Sequence, residues 1–274
     1  MVEPSARSPS ITRHGGDSAG IGEEGAPVMD RETYAAEAAL EERHWWFVGR
    51  RRLFAREIGR AGVSRDARVL DVGTSTGTNL RLMRDMGFSD VTGLDMSEEA
   101  IRFCRDKGLG EVRQGDICQM PFKDGHFDLV LATDIVEHVD DDARALSEIF
   151  RVVRPGGYVL MTVPAFQSLW GAQDILSHHK RRYRKKGFES LVAVSRLRVR
   201  RSYYFNFLLF LPIFLVRRII SMLKIPQKSE NRFNAPVINE ILLFLFTLDC
   251  LTAPFIRIPF GVSVLVLAQR PESE

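Results

Sequence analysis

From residue 67 to about residue 206, short apolar runs alternate with amphipathic stretches. Arg68-Val-Leu-Asp-Val72 is apolar and stops at a glycine-rich turn, which predicts a strand. Thr78 to Met86 places Leu80 and Met83 at helical spacing and halts at Gly87. Val91 to Leu94 predicts a second strand. Ser97 then offers an N-cap, and Glu98 and Glu99 set negative charge in the first turn of a helix that ends near Gly108. Val112 marks a short third strand and Phe127 to Ala132 a fourth. Asp141 to Val153 is amphipathic and stops at Pro155-Gly156-Gly157, after which Tyr158 to Val163 predicts a fifth strand. Strands separated by helices of this length form parallel βαβ units, so the fold class is α/β with a doubly wound, mostly parallel sheet. Such sheets bind ligands at the carboxyl ends of their strands.

The flanks read differently. Residues 1–28 are rich in Ser, Gly, Glu and Pro and lack the apolar segment of a secretory signal, so they are expected to be a disordered tail. Residues 29–64 are expected to form a helical cap, with one helical stretch from Asp30 to Gly62 carrying the sequence HWWFVGRRR. Residues 207–259 are strongly apolar, and Gly261 to Ala268 again resembles a strand. The central domain is therefore drawn as residues 65–206 plus 260–270, interrupted by an apolar helical insertion over 207–259.

Composition narrows the function classes. With 45% hydrophobic residues the chain can bury a sizeable core, and 38 Lys+Arg against 35 Asp+Glu leave a net +3, too mild to point to nucleic acid. The three cysteines, Cys104, Cys118 and Cys250, have neither disulfide-framework nor metal spacing, which fits a reducing cytosol; spacing implies no metal site and leaves only a carboxylate-bound magnesium open.

Candidate chemistry gathers where strands end. After the first strand comes Asp71-Val-Gly73-Thr-Ser75-Thr-Gly77, whose small residues let a ligand approach the backbone. Asp95, followed by Met96, ends the second strand, where a carboxylate can accept hydrogen bonds from both hydroxyls of a ribose. Asp116 and Ile117 follow the third strand, and Thr133 ends the fourth. The dinucleotide fingerprint G-x-G-x-x-G falls here on Gly73, Ser75 and Thr78, so two of its three glycines are missing. An acid-bordered site suits a cofactor with a sulfonium and an ammonium better than one with a pyrophosphate. Without a cofactor, Asp95 and Asp116 would serve as ordinary helix caps.

The ordered set VLDVGTSTG, GLDMS, GDICQMPF and FDLVLATDIVEHVDDDARALSEIFRVVRPGGYVLMTVP, over roughly residues 67–164, resembles the class I S-adenosylmethionine-dependent methyltransferases. The resemblance implies a Rossmann-like, seven-stranded sheet with an antiparallel last strand; Leu197 to Tyr204 suits the sixth strand and Val262 to Leu267 the seventh. It implies S-adenosylmethionine as cofactor, with Asp71, Gly73 and Gly77 at the methionine moiety, Asp95 at the ribose, Asp116 and Ile117 at the adenine, and Met96, Ser75 and Thr133 bordering the same site. Ser75 departs from the family pattern, which usually has a second glycine there.

Similar HWWF segments accompany bacterial members of this group, so Trp45 and Trp46 are expected on a lid over cofactor or substrate; the alternative is a helix docked for stability. The run after the fifth strand, which also resembles the family, supplies His178, His179 and Tyr183 as candidate bases, with His138 as a rival. Arg182, with Arg181, is a candidate anchor for a substrate anion. In the insertion, the first apolar run is short and holds Pro212, while the second contains Asn239, Glu240 and Asp249. Neither favours a membrane-spanning helix. An interfacial hairpin with Arg217, Arg218 and Lys224 near anionic headgroups is favoured, beside a lipid-tail tunnel or a homodimer interface.

These features together lead to a methyltransferase acting on an amphiphilic or lipid-like acceptor, in the cytoplasm and peripheral on the inner face of the cell membrane. The alternative in the same class is a soluble small-molecule O- or C-methyltransferase of secondary metabolism. A non-catalytic cofactor-fold module or a nicotinamide-dependent reductase is the alternative from another class.

Overall fold

The structure, a computed structural model, describes residues 31–223, 236–256 and 258–272. The tail expected over residues 1–28 and the headgroup contact expected of Lys224 lie outside them. Helices α1 (Arg31–Arg43) and α2 (Trp45–Ala61) precede the alternating region. There β1 (Arg68–Val72), α3 (Thr78–Asp85), β2 (Asp90–Asp95), α4 (Glu98–Asp106), β3 (Glu111–Gln114), β4 (Phe127–Thr133), α5 (Asp142–Val152) and β5 (Val153–Pro164) follow in turn. Next come α6 (Ala172–Leu176), α7 (Lys185–Val194), β6 (Arg198–Phe205), α8 (Phe210–Leu223), α9 (Pro236–Thr252) and β7 (Ser263–Gln269).

The seven strands form one sheet in the order β3-β2-β1-β4-β5-β7-β6. Neighbours from β3 to β5 pair in parallel, and β7 runs antiparallel between β5 and β6. Strand order reverses between β1 and β4, so the crevice that receives a ligand lies beyond their carboxyl ends. Ser97 caps α4 as its position predicts, its side chain accepting from the Ala100 amide.

Both faces of the sheet are covered. Leu70, Val72, Val130 and Ala132 meet Leu146 and Ile149 of α5 and Phe188 of α7 on one face. Val69, Leu129 and Leu131 meet Leu53, Phe54 and Ile58 of α2 and Phe246 of α9 on the other. Successive residues of β1 and β4 thus enter opposite cores, which explains their continuous apolar runs.

One departure from the sequence expectations is held in place by α9. The helix expected from Asp30 to Gly62 breaks at His44, which caps α2 and accepts from the Trp46 amide at 3.4 Å. The break is held from far along the chain: Asn239 of α9 accepts from the Trp45 amide at 2.8 Å and donates to the Arg43 carbonyl at 3.0 Å. Asp249 of α9 is likewise turned inward and accepts from the backbone amides of Asn206, Phe207 and Leu208 at 2.7, 2.5 and 2.9 Å. Two of the polar residues that interrupt this apolar run, Asn239 and Asp249, therefore face the protein, whereas Glu240 is exposed, and Val237, Ile241, Phe244, Leu248 and Leu251 face outward.

The tryptophan pair packs on α9. Ring centroids of Trp45 and Trp46 lie 5.4 and 5.1 Å from that of Phe246, and Trp46 also stacks on Phe205 at 6.0 Å. Gly49 is required here because a Cβ would overlap the Phe246 ring. Phe246→Ala is expected to cost about 3–5 kcal/mol, as truncation of a buried aromatic does. Urea denaturation followed by circular dichroism measures it; a loss under about 1 kcal/mol would mean that α9 is not packed as described.

Candidate functional site

Two polar clusters occupy the carboxyl edge of the sheet. The first surrounds the tips of β1, β2 and β4. Gly73 and Gly77 have φ of 76° and 79°, and a Cβ on Gly73 would come within 2.7 Å of Ile135. Ser75 also adopts a positive φ, 46°, which an L-residue accepts only under constraint. The constraint is Asp95: one carboxylate oxygen accepts from the Ser75 amide and the other from the Ser97 amide, each at 2.8 Å. Asp95 thus fixes the turn that the departing serine must form. Burial raises its pKa above the usual carboxylate value despite these bonds.

Asp71 is fully buried at the end of β1. Asn79 donates to its Oδ1 at 2.9 Å and to Thr133 Oγ1 at 3.0 Å, which links the tips of β1 and β4. Oδ2 of Asp71 has no hydrogen-bond partner among the described residues. Burial pushes this carboxyl up to about 7. The cap lies directly over the turn: Glu41 of α1 accepts from the hydroxyls of Thr76 and Thr78, and Tyr34 donates to Ser97 at 3.0 Å. Asp116 lies beyond β3, exposed, and accepts from the Cys118 amide at 2.8 Å; Ile117 beside it is buried, and Met96 is exposed at the end of β2. The Gly115 amide donates to the Asp95 carbonyl at 3.0 Å and brings this loop to the same edge.

The second cluster lies beyond β4 and β5. His138 and His179 stand edge to face with ring centroids 4.7 Å apart. Nδ1 of His179 lies 2.8 Å from Asp174, and its Nε2 lies 3.9 Å from Glu137. Glu137 is fully buried, and neither carboxylate oxygen has a hydrogen-bond partner among the described residues. Burial and the nearby Asp134 raise its pKa well above the ordinary value. Burial and His179 push His138 down to about 4, so it is neutral at pH 7. Asp134 pairs with Arg50 of α2 at 2.5 Å, and Arg50 also lies over the Trp46 ring.

Not every expected residue faces these clusters. Arg182, a candidate for holding a substrate anion, is bound to Asp174 through Nε and Nη2 at 2.8 and 2.9 Å, so this charge orders the protein. Tyr183 donates to Asp142 at 2.8 Å, and burial raises its pKa, which makes it a poor base. His178 is exposed with φ of 53°. Trp45 and Trp46, expected over cofactor or substrate, sit instead against Phe246 because α9 offers them an aromatic surface. Asp174, Glu41 and Asn79 escaped the sequence reading; an acid five residues before His179 was the one available signal for Asp174.

The doubly wound sheet with its small-residue turn and acid-tipped strands defines a nucleoside-type cofactor fold. A family described as methyltransferase domain matches residues 70–161. A malonyl-[acyl-carrier protein] O-methyltransferase of Enterobacter lignolyticus is 32% identical over 181 residues, which cover 63% of this chain and 71% of that protein. A probable S-adenosylmethionine-dependent methyltransferase of Mycolicibacterium smegmatis is 32% identical over 126 residues, 46% of this chain; the match spans about half of that relative, 48%. In the complex between the Haloferax volcanii Trm112 methyltransferase activator and a methyltransferase, one chain shares the fold with a TM-score of 0.59 at 21% identity, over 89% of this chain and 96% of that one. The chain belongs to the class I S-adenosylmethionine-dependent methyltransferases.

Asp174 shows how the second cluster is held. Burial alone would raise its pKa, but hydrogen bonds from His179 and Arg182 outweigh burial and hold it well below the carboxylate range. A depressed pKa contributes stability above the ordinary carboxylate value, and that stability is lost as the pH falls toward the folded-state value. Asp174→Ala, which removes the carboxylate that Arg182 and His179 share, is expected to cost about 3–5 kcal/mol at pH 7. Urea titrations should show the gap to wild type narrowing below about pH 4; a gap that widens there would contradict this assignment.

Proposed function

We propose that this protein transfers the methyl group of S-adenosylmethionine to an amphiphilic, lipid-like acceptor presented at a membrane surface. The residues at the first cluster fit the cofactor. The buried, unpartnered Oδ2 of Asp71 suits a cationic group at the tip of β1. Asp95 keeps lone pairs for ribose hydroxyls while its backbone bonds hold it in place, and the exposed Asp116, on the loop that the Gly115 amide ties to Asp95, is the proposed acceptor for an adenine amine. When bound, the cofactor supplies a methyl on a sulfonium, open to in-line displacement. His179 is the favoured acceptor of a substrate proton, because Asp174 fixes its ring and directs Nε2 into the cluster.

One observation carries the choice of acceptor: the outward-facing apolar helix α8 reaches Asp174, the residue that also holds His179. Arg217 of α8 donates to the Leu169 carbonyl and lies 3.9 Å from Asp174. On its outer side Leu211, Leu215, Ile219 and Met222 are exposed at helical spacing, parallel in character to the outer side of α9. Among the described residues no helix is long and apolar enough to cross a membrane. Amphipathic helices of this kind lie in the interface plane, and an acceptor whose tail stays in lipid then has its polar head beside His179.

Three measurements test the reading. In calorimetry, Asp95→Ala is expected to weaken S-adenosylmethionine binding more than tenfold, whereas His179→Ala should leave it within about twofold and lower turnover on lipid extracts with methyl-labelled cofactor. An unchanged affinity in Asp95→Ala would remove that residue from the site. In co-sedimentation with anionic vesicles, wild type should pellet, and a variant with Leu215, Ile219, Phe244 and Leu248 changed to Ser should not. Failure of wild type to pellet, with a stable dimer in light scattering, would assign the outer faces to a second copy.

A further inference from the structure

We propose that Glu137, His138 and His179 form a binding site for a divalent transition-metal ion. Each offers one ligand atom, and the three atoms lie within 4.8 Å of one another. The independent pointer is Glu137: its side chain is wholly buried, yet both oxygens lack a hydrogen-bond partner among the described residues. Buried carboxylates are ordinarily paired, hydrogen-bonded or coordinated to a metal, because an isolated one is costly. Two imidazoles open toward this one.

The support behind the ligands is of the kind metal sites use. A ligating histidine generally donates its second ring nitrogen to a carboxylate, which fixes its tautomer and orientation. Nδ1 of His179 lies 2.8 Å from Asp174, so Nε2 is the free nitrogen and points to Glu137. Asp174 is itself fixed by Arg182 and by the Gly171 amide at 2.8 Å. The two segments that carry the ligands are joined by the Lys180 amide, which donates to the Glu137 carbonyl at 2.9 Å. In a tetrahedral site bonds of ~2.1 Å hold ligand atoms ~3.4 Å apart, so the widest pair must close by up to ~1.4 Å, a movement that side-chain rotation has to supply.

The donor set selects the ion. Two imidazoles and one carboxylate favour zinc, cobalt or a similar borderline cation over magnesium, which prefers oxygen ligands throughout. Three protein ligands leave a coordination position for an oxygen from solvent or acceptor. In that state Nε2 of His179 is a ligand and not a proton acceptor. The inference rests on this side-chain cluster and not on the methyl-transfer reading.

Calorimetry on untagged full chain, stripped with chelator and titrated with zinc, tests it, with visible absorption of the cobalt-loaded protein as a second readout. One zinc per chain is expected, much weaker magnesium binding, and a cobalt ligand-field band that zinc abolishes. Glu137→Gln and His138→Gln should each lower zinc affinity at least tenfold, and Asp174→Asn by about 10–100-fold through loss of the orienting carboxylate. Circular dichroism confirms that each variant is folded; should Glu137→Gln fail to fold, His138→Gln and the wild-type cobalt spectrum decide. Absence of stoichiometric zinc binding in wild type, or unchanged affinity in folded variants, would overturn the proposal. S-adenosylmethionine affinity, measured on the same samples, reports separately on the cofactor site.

Discussion

Burial of both faces of the central strands governs where chemistry can happen in this molecule. Successive residues of β1 and β4 enter opposite hydrophobic cores, so neither face has room for an ionised group. Polar side chains are confined to the ends of the strands, and parallel pairing brings those ends to one edge. Asp71, Asp95 and Thr133 are neighbours for that reason, though many residues separate them in sequence. The segments that follow β4 and β5 carry Glu137, His138, Asp174 and His179 to the same edge.

The carboxy-terminal helices obey the opposite rule to a surface helix. α9 directs Asn239 and Asp249 inward, where they satisfy backbone groups at the ends of other elements, and it leaves aliphatic and aromatic residues outside. A buried polar side chain is tolerated when every amide it faces donates to it, and Asp249 receives three. The arrangement accounts for Asn239 and Asp249 in an apolar run without placing either in lipid.

The alternating elements were legible in the sequence because periodicity and caps are local. Strand limits from β1 to β4 and the Ser97 cap follow from residues within one turn of each boundary. What escaped depends on distant partners. The break at His44 requires Asn239, and nothing in residues 30–62 announces it. The sequence offers Arg182 to a substrate because its partner, Asp174, lies in α6, a helix of five residues that is too short to show a periodic pattern. Ser75 was recognised as a departure, but its positive φ, and the Asp95 bond that sustains it, emerge only in three dimensions. The tryptophan pair was identifiable as unusual; its place against Phe246 depended on how α9 packs.

The Asn239 amide grips the last carbonyl of α1 and the first amide of α2 at once. That grip makes α9 the hinge plate for the cap, since α1 reaches the glycine-rich turn through Glu41 while α9 bears the outer apolar surface. A load applied to α9 from outside therefore reaches the helix that roofs the turn after β1 by way of this carboxamide.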